Sequence, residues 1–225
     1  MTNTAPQSTA EMVFANKTAE NQIDALLSGR YPFPESGKTA LCFYGTYGTG
    51  KTTYAHIFCR EFELKKSGEE IEISPKLVSC QKTESIREIL KTCTAQAKYV
   101  SCNASSLHYF IFDEVDNLTD DAQRALKAFL NTPNIVCVLT TNYLDKLDKG
   151  MLSRCVKVNF NAADPKAIRA RTQQILRDNG RYLDTDEIDE IIRNSDGSWR
   201  EIVPMALMLA EPTTHPPSST LRIVK

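Results

Sequence analysis

The chain has 225 residues, enough for one large α/β domain, alone or with a small helical appendage. Its 27 Lys and Arg face 28 Asp and Glu, a net charge of −1, so any nucleic-acid binding needs a local basic patch and not a basic molecule. The N-terminus MTNTAPQSTAEM lacks the basic segment and apolar core of a secretion signal, and no later apolar run is long enough to span a membrane, so a cytoplasmic, non-secreted protein is expected.

In chain order, residues 1–20 read as a flexible N-terminus, Asn21 to Ser28 as a helix, and RYPFPESGK as a turn-rich approach to the first strand. Leu41 to Tyr44 is a short apolar run of the kind found in buried parallel strands, and Thr52 to Leu64 reads as the helix that follows. Between them, GTYGTGKT spells G-x-x-x-x-G-K-[ST] through Gly45, Gly50, Lys51 and Thr52, with a further glycine at Gly48. Glycines let successive N–H groups turn inward with no Cβ in the way. The expected phosphate cradle is the loop Gly45, Thr46, Tyr47, Gly48, Thr49 and Gly50, with Lys51, Thr52 and Thr53 at the helix N-terminus. Lys51 would reach the β- and γ-phosphates of a nucleotide, and Thr52 would hold Mg²⁺.

IEISPKLVSC reads as a strand broken by Pro75, and ESIREILKTC as a helix with Ile86, Ile89, Leu90 and Cys93 on one face. LHYFIFDEVD is a second buried strand that ends in carboxylates, where open α/β sheets place their chemistry. Asp113 would hold Mg²⁺ and Glu114 would take a proton from the water that attacks the γ-phosphate. TDDAQRALKAFLN is an amphipathic helix with acids at its start, and NIVCVLTTN a third buried strand closed by Asn142. That amide either forms an Asx turn or reaches the attacking water or the γ-phosphate. Seven cysteines show no close-pair spacing; Cys80, Cys93 and Cys102 are separated by twelve and eight residues, so reduced core thiols are expected and no zinc.

After Phe160 the pattern is all-helical: DPKAIRARTQQILRDNG, DTDEIDEIIRN, and SWREIVPMALMLA with Ser198 and Glu201 placed as a capping box. The fold class is therefore α/β, a P-loop domain with a parallel sheet covered by helices, followed by a small three-helix unit. The expected divisions are 1–20, 21–160, 161–211 and a flexible tail at 212–225, which includes EPTTHPPSST in part and LRIVK.

FIFDEVDNLTDDAQRALKAFLN followed by TTNYLDKLDKGMLSRC resembles the AAA+ ATPases of the sliding-clamp loaders, the small subunits of the replication factor C type, and the resemblance spans roughly residues 35–210. It implies ATP hydrolysis in DNA replication, by a homo- or hetero-oligomer of related AAA+ subunits that acts on a sliding clamp and primer–template DNA. Asn142 matches sensor 1, and the arginine of the Ser-Arg-Cys motif maps onto Arg154, which would act in trans on a neighbour's ATP. Arg200 in GSWR matches sensor 2 of the helical lid, although Pro204 departs from the family pattern and removes a backbone bond to the Arg200 carbonyl.

SCQKTESIREILKTCTAQA is similar to the family's DNA-facing segment. There Thr83 or Ser85 would cap a helix, and Arg87 and Lys91 would meet phosphates; a plain solvated helix face is the alternative. The family's helical collar has no counterpart after the lid, so assembly would run through AAA+ contacts alone or on a partner's scaffold. A minimal viral or phage loader, working inside a host cell, fits that pattern. The competing functions are another AAA+ remodeller, such as a helicase loader or transposition helper, and a nucleotide-dependent binding module with little hydrolysis.

Overall fold

The computed structural model describes residues 4–69, 72–81 and 86–212. Its centre is a five-stranded parallel sheet in the order β2-β3-β4-β1-β5, formed by β1 (Ala40–Tyr44), β2 (Lys76–Ser79), β3 (His108–Asp113), β4 (Ile135–Thr141) and β5 (Cys155–Asn159). All four pairings in it are parallel. Side chains alternate across a strand, and here both faces are buried, which is why the strands read as unbroken apolar runs. Cys42, Phe110, Phe112, Cys137 and Leu139 face α3 (Ile86–Gln96) and α4 (Asp120–Phe129). Leu41, Phe43, Ile111, Val136 and Val138 face α1 (Lys17–Leu27) and α2 (Lys51–Ser67).

A third apolar cluster lies among α6 (Pro165–Asp178), α7 (Thr185–Asn194) and α8 (Trp199–Leu209), built on Ile168, Leu176, Ile188, Ile192 and Ile202. A two-stranded antiparallel ribbon, β6 (Arg181–Tyr182) with β7 (Glu211–Pro212), adjoins it. The short α5 (Lys149–Leu152) leads into β5. No helix among the described residues is long and apolar enough to cross a membrane. Six cysteines are buried and Cys102 is exposed. Burial pushes the Cys80 and Cys155 thiols up to about 12, so these behave as small apolar side chains.

Several sequence expectations need correction. Residues 4–20 are docked on the core instead of loose. The Thr9 amide donates to Glu61 Oε1 at 2.8 Å, Phe14 stands edge-on to Tyr54, and α1 starts at Lys17 behind an Asn16 cap. No periodicity announces this docking, because the segment is held by isolated hydrogen bonds and a short run of side chains, Met12, Val13 and Phe14. The strand expected around Pro75 starts only after it, at Lys76. β5 has no counterpart among the expected strands: Lys157 is exposed and Val156 half-buried, so this edge strand lacks the continuous apolar run of its neighbours. Ser198 caps α8 but its side chain makes no capping hydrogen bond; the capping box belongs to α7, between Asp184 and Glu187.

Candidate nucleotide site

Because β3, β4 and β1 are adjacent and parallel, their carboxyl ends open side by side. Tyr44 stands opposite Thr141, and Phe112 opposite Leu139. The phosphate loop, the Asp113–Glu114 pair and Asn142 therefore leave the sheet at one edge. They line a cleft of about 440 Å³ together with residues of the N-terminal segment and of α6 and α8.

In the loop, Gly45, Gly48 and Gly50 all have positive φ, and at the first two a Cβ would also clash. Gly45 has φ +151°, and a Cβ there would overlap the Phe160–Asn161 backbone; Gly48 has φ +72°, and a Cβ would overlap Ser198 Oγ. The backbone of Tyr47, Gly48, Thr49 and Gly50 borders the cleft, and so does the start of α2 at Lys51, Thr52 and Thr53. Gly45 and Thr46 are not brought to it. Their N–H groups are committed elsewhere, Gly45 to Thr141 O at 3.2 Å and Thr46 to Asn161 Oδ1 at 3.1 Å. What they offer is carbonyls: Lys51 Nζ donates to Gly45 O at 2.9 Å and to Thr46 O at 2.6 Å. Lys51 is buried, and desolvation pushes its ammonium down to about 8, against the attraction of Asp113 and Asp116. A phosphate oxygen would give this cation the anionic partner that the two carbonyls do not.

The acidic side is tied to the loop by hydroxyls. Thr52 Oγ1 donates to Asp113 Oδ1 at 2.7 Å and Thr140 Oγ1 to the same oxygen at 2.6 Å. Asp113 Oδ2 has no hydrogen-bond partner among the described residues. A hydroxyl and a carboxylate held together at the start of a helix form an all-oxygen donor set, which suits Mg²⁺. Glu114 sits in the left-handed region (φ +57°, ψ +51°) with its N–H on Thr140 Oγ1, so the chain turns sharply and leaves the carboxylate half-buried at the cleft. Gln81 Nε2 donates to Glu114 Oε2 at 2.7 Å, from just beyond β2. Asp116 Oδ1 accepts from Thr141 Oγ1 at 2.8 Å and from the backbone N–H of Asn142 at 3.1 Å.

Arg200 lines the cleft, and α8 runs through Pro204 as one helix, with Val203 and Pro204 also on the cleft wall. The Trp199 amide donates to Gly48 O at 2.9 Å, joining the start of α8 directly to the phosphate loop. Arg154 is not at this cleft. Its Nε donates to Asn131 Oδ1 at 2.8 Å and an η-nitrogen to Gly150 O at 2.7 Å, on the turn between α5 and β5. Arg87 pairs with Asp121 at 3.3 Å and Lys91 with Glu88 at 2.7 Å, all of them exposed; Thr83 and Ser85 lie outside the described residues. Sequence reasoning missed Thr140, Gln81 and Asp116, and the apolar wall made by Pro6, Met12, Val13 and Ile175. Thr140 alone carried a signal, being a polar residue two positions before the strand-end amide.

The profile of the "ATPase family associated with various cellular activities (AAA)" matches residues 41–163, which run from the strand before the phosphate loop to the residues just past β5. The chain belongs to the AAA ATPases. Among similar proteins, replication factor C small subunit 2 of Pyrobaculum islandicum is 27% identical over 210 residues, 92% of this chain and 62% of its own. Replication factor C subunit 4 of Encephalitozoon cuniculi is 28% identical over 72% of this chain and 50% of its own. This AAA chain thus spans about half to three-fifths of the length of these relatives. The Thermotoga maritima RuvB Holliday junction branch migration motor shares the fold, with a TM-score of 0.67 and 15% identity over 91% of this chain and 64% of its own.

Proposed function

We propose that this AAA ATPase binds and hydrolyses ATP as one subunit of an oligomer and acts in DNA replication in the manner of a sliding-clamp loader. Residues 21–160 are its motor core and 161–211 its lid. The observation that carries this reading is an assembled phosphate site with its family arginine held elsewhere. Lys51, Thr52, Asp113, Glu114 and Asn142 share one cleft, whereas Arg154 is anchored on the α5–β5 turn outside it. The cleft holds Arg171 and Arg200 of its own chain but not Arg154, so the arginine of the Ser-Arg-Cys motif is assigned to a neighbour's site.

Each residue then has a chemical task. The loop N–H groups from Tyr47 onward and Lys51 hold the phosphates. Thr52 and Asp113 would hold Mg²⁺, which when bound neutralises charge on the β- and γ-phosphate oxygens. Glu114 takes a proton from the attacking water, Asn142 orients that water or the γ-phosphate, and Arg200 brings the lid to the same phosphate. Arg154 stabilises charge in the adjoining subunit's site. Along α3, Arg87 and Lys91 would exchange weak exposed ion pairs for DNA phosphates.

The replication factor C relatives support a sliding clamp and primer–template DNA as clients. The test is retention of the full chain, with ATP, on an immobilised sliding clamp and on a replicative helicase, with ATP turnover measured alongside. Retention on the clamp, with turnover raised by clamp and primer–template DNA together, is expected. Retention on the helicase alone would move the chain to the other AAA+ remodellers.

A further inference from the structure

The phosphate loop carries a large aromatic side chain at Tyr47, 56% exposed, and a second, Tyr143, directly follows Asn142 and is 40% exposed. Two rings left this open to water, that of Tyr47 on the cleft wall, bury little apolar area, so their worth comes from their mutual geometry. The Tyr47 phenol donates to the Tyr143 phenol at 2.8 Å, and the rings meet edge to face with centroids 6.1 Å apart. Lys146 Nζ lies 3.9 Å from the Tyr143 ring centroid and fixes that ring from its own turn. The Tyr47 phenol is pushed up to about 12, mainly by its bond to Tyr143, so the donor proton stays in place at neutral pH.

The Asn142 side-chain amide, by contrast, makes no hydrogen bond with any described residue. Its aim therefore depends on where the backbone of its turn is held. On one side, Asp116 accepts from the Asn142 N–H and from Thr141 Oγ1; the Tyr143 N–H folds back on Thr141 Oγ1 at 3.0 Å. On the other side, the Tyr47–Tyr143 bond ties the turn to the loop that wraps the phosphates.

We propose, building on the hydrolytic reading above, that Tyr47 and Tyr143 are positioning residues, whose phenol–phenol bond clamps the Asn142 turn to the phosphate loop and sets the distance from the Asn142 amide to the γ-phosphate. Hydrolysis is steeply sensitive to such distances, whereas ATP binding, spread over the whole loop, is not.

Tyr47→Phe and Tyr143→Phe keep both rings and remove only the bond. In the full chain, ATP affinity and single-turnover hydrolysis are measured for each, for the double variant, and for Asn142→Ala. Expected are near wild-type affinity and hydrolysis slowed by roughly ten- to a hundredfold in either single variant. The double variant should be no slower than the singles, since one bond can be lost only once. Wild-type hydrolysis in both single variants, with Asn142→Ala slowed, would overturn this inference and leave the hydrolytic reading standing. Additive losses, or losses in affinity equal to those in rate, would overturn it as well. Unchanged hydrolysis in Asn142→Ala would overturn it together with the role given to Asn142.

Discussion

In the proposed reaction, hydrolysis turns on Glu114. Its backbone is fixed by Thr140 Oγ1 and its carboxylate rests on Gln81 Nε2. Glu114→Gln keeps the shape and loses the proton acceptor, so ATP should stay bound while single-turnover hydrolysis falls roughly a hundred- to ten-thousandfold. A rate equal to wild type would remove Glu114 as the base. Gln81 acts in the opposite sense, because its amide donates to Glu114 Oε2, stabilises the ionised carboxylate and so weakens it as a base. Gln81→Ala should raise basal hydrolysis roughly two- to tenfold, the worth of one ordinary hydrogen bond; a fall would mean that Gln81 orients the base. At this scale the motif residues Lys51, Thr52, Asp113 and Glu114 were legible because their spacing is tied to a strand end. Thr140, Gln81 and Asp116 were not, because their roles come from hydrogen bonds between elements far apart in the chain. Gly45 and Thr46 belong to the motif, yet they serve Lys51 through carbonyls, which no residue pattern distinguishes from N–H donation.

Among the elements remote from it in the chain, α8 is bonded to the phosphate loop at its very first residue. Its first amide, at Trp199, bonds Gly48 O, and Ser198 packs where a Gly48 side chain would stand. Gly48→Ala adds a clash and a left-handed backbone penalty, together costing roughly 1–3 kcal/mol, and should loosen α8 from the loop. A lower thermal midpoint and weaker ATP binding are expected in that variant. Adding Ser198→Gly should restore part of both by removing the atom that clashes; no recovery at all would place the whole cost in the backbone. The strongly periodic helices and fully buried strands were legible as elements, as α4 shows with Ala122, Leu126 and Phe129 on one face. Edge strand β5 and the docked N-terminal segment were not, because neither buries a regular face.

For the whole molecule, the central claim is that one chain supplies the phosphate site and a neighbour supplies the arginine. The sequence alone made this expectation possible only through the Ser-Arg-Cys resemblance; distance from the site is a property of the fold, seen in the Asn131 and Gly150 partners of Arg154. Lys51→Ala should lose ATP affinity by roughly a hundredfold or more, since two charge-assisted bonds to phosphate are lost. Arg154→Ala should fold and bind ATP almost normally, yet hydrolyse it roughly a thousandfold more slowly. The most direct measurement is ATP turnover by an equimolar mixture of these two inactive variants, with their co-assembly followed independently. Mixed contacts pair an intact phosphate loop from one chain with an intact arginine from the other, so part of the wild-type activity should return. A mixture that co-assembles and stays inactive would contradict the claim and return Arg154 to a role within its own chain.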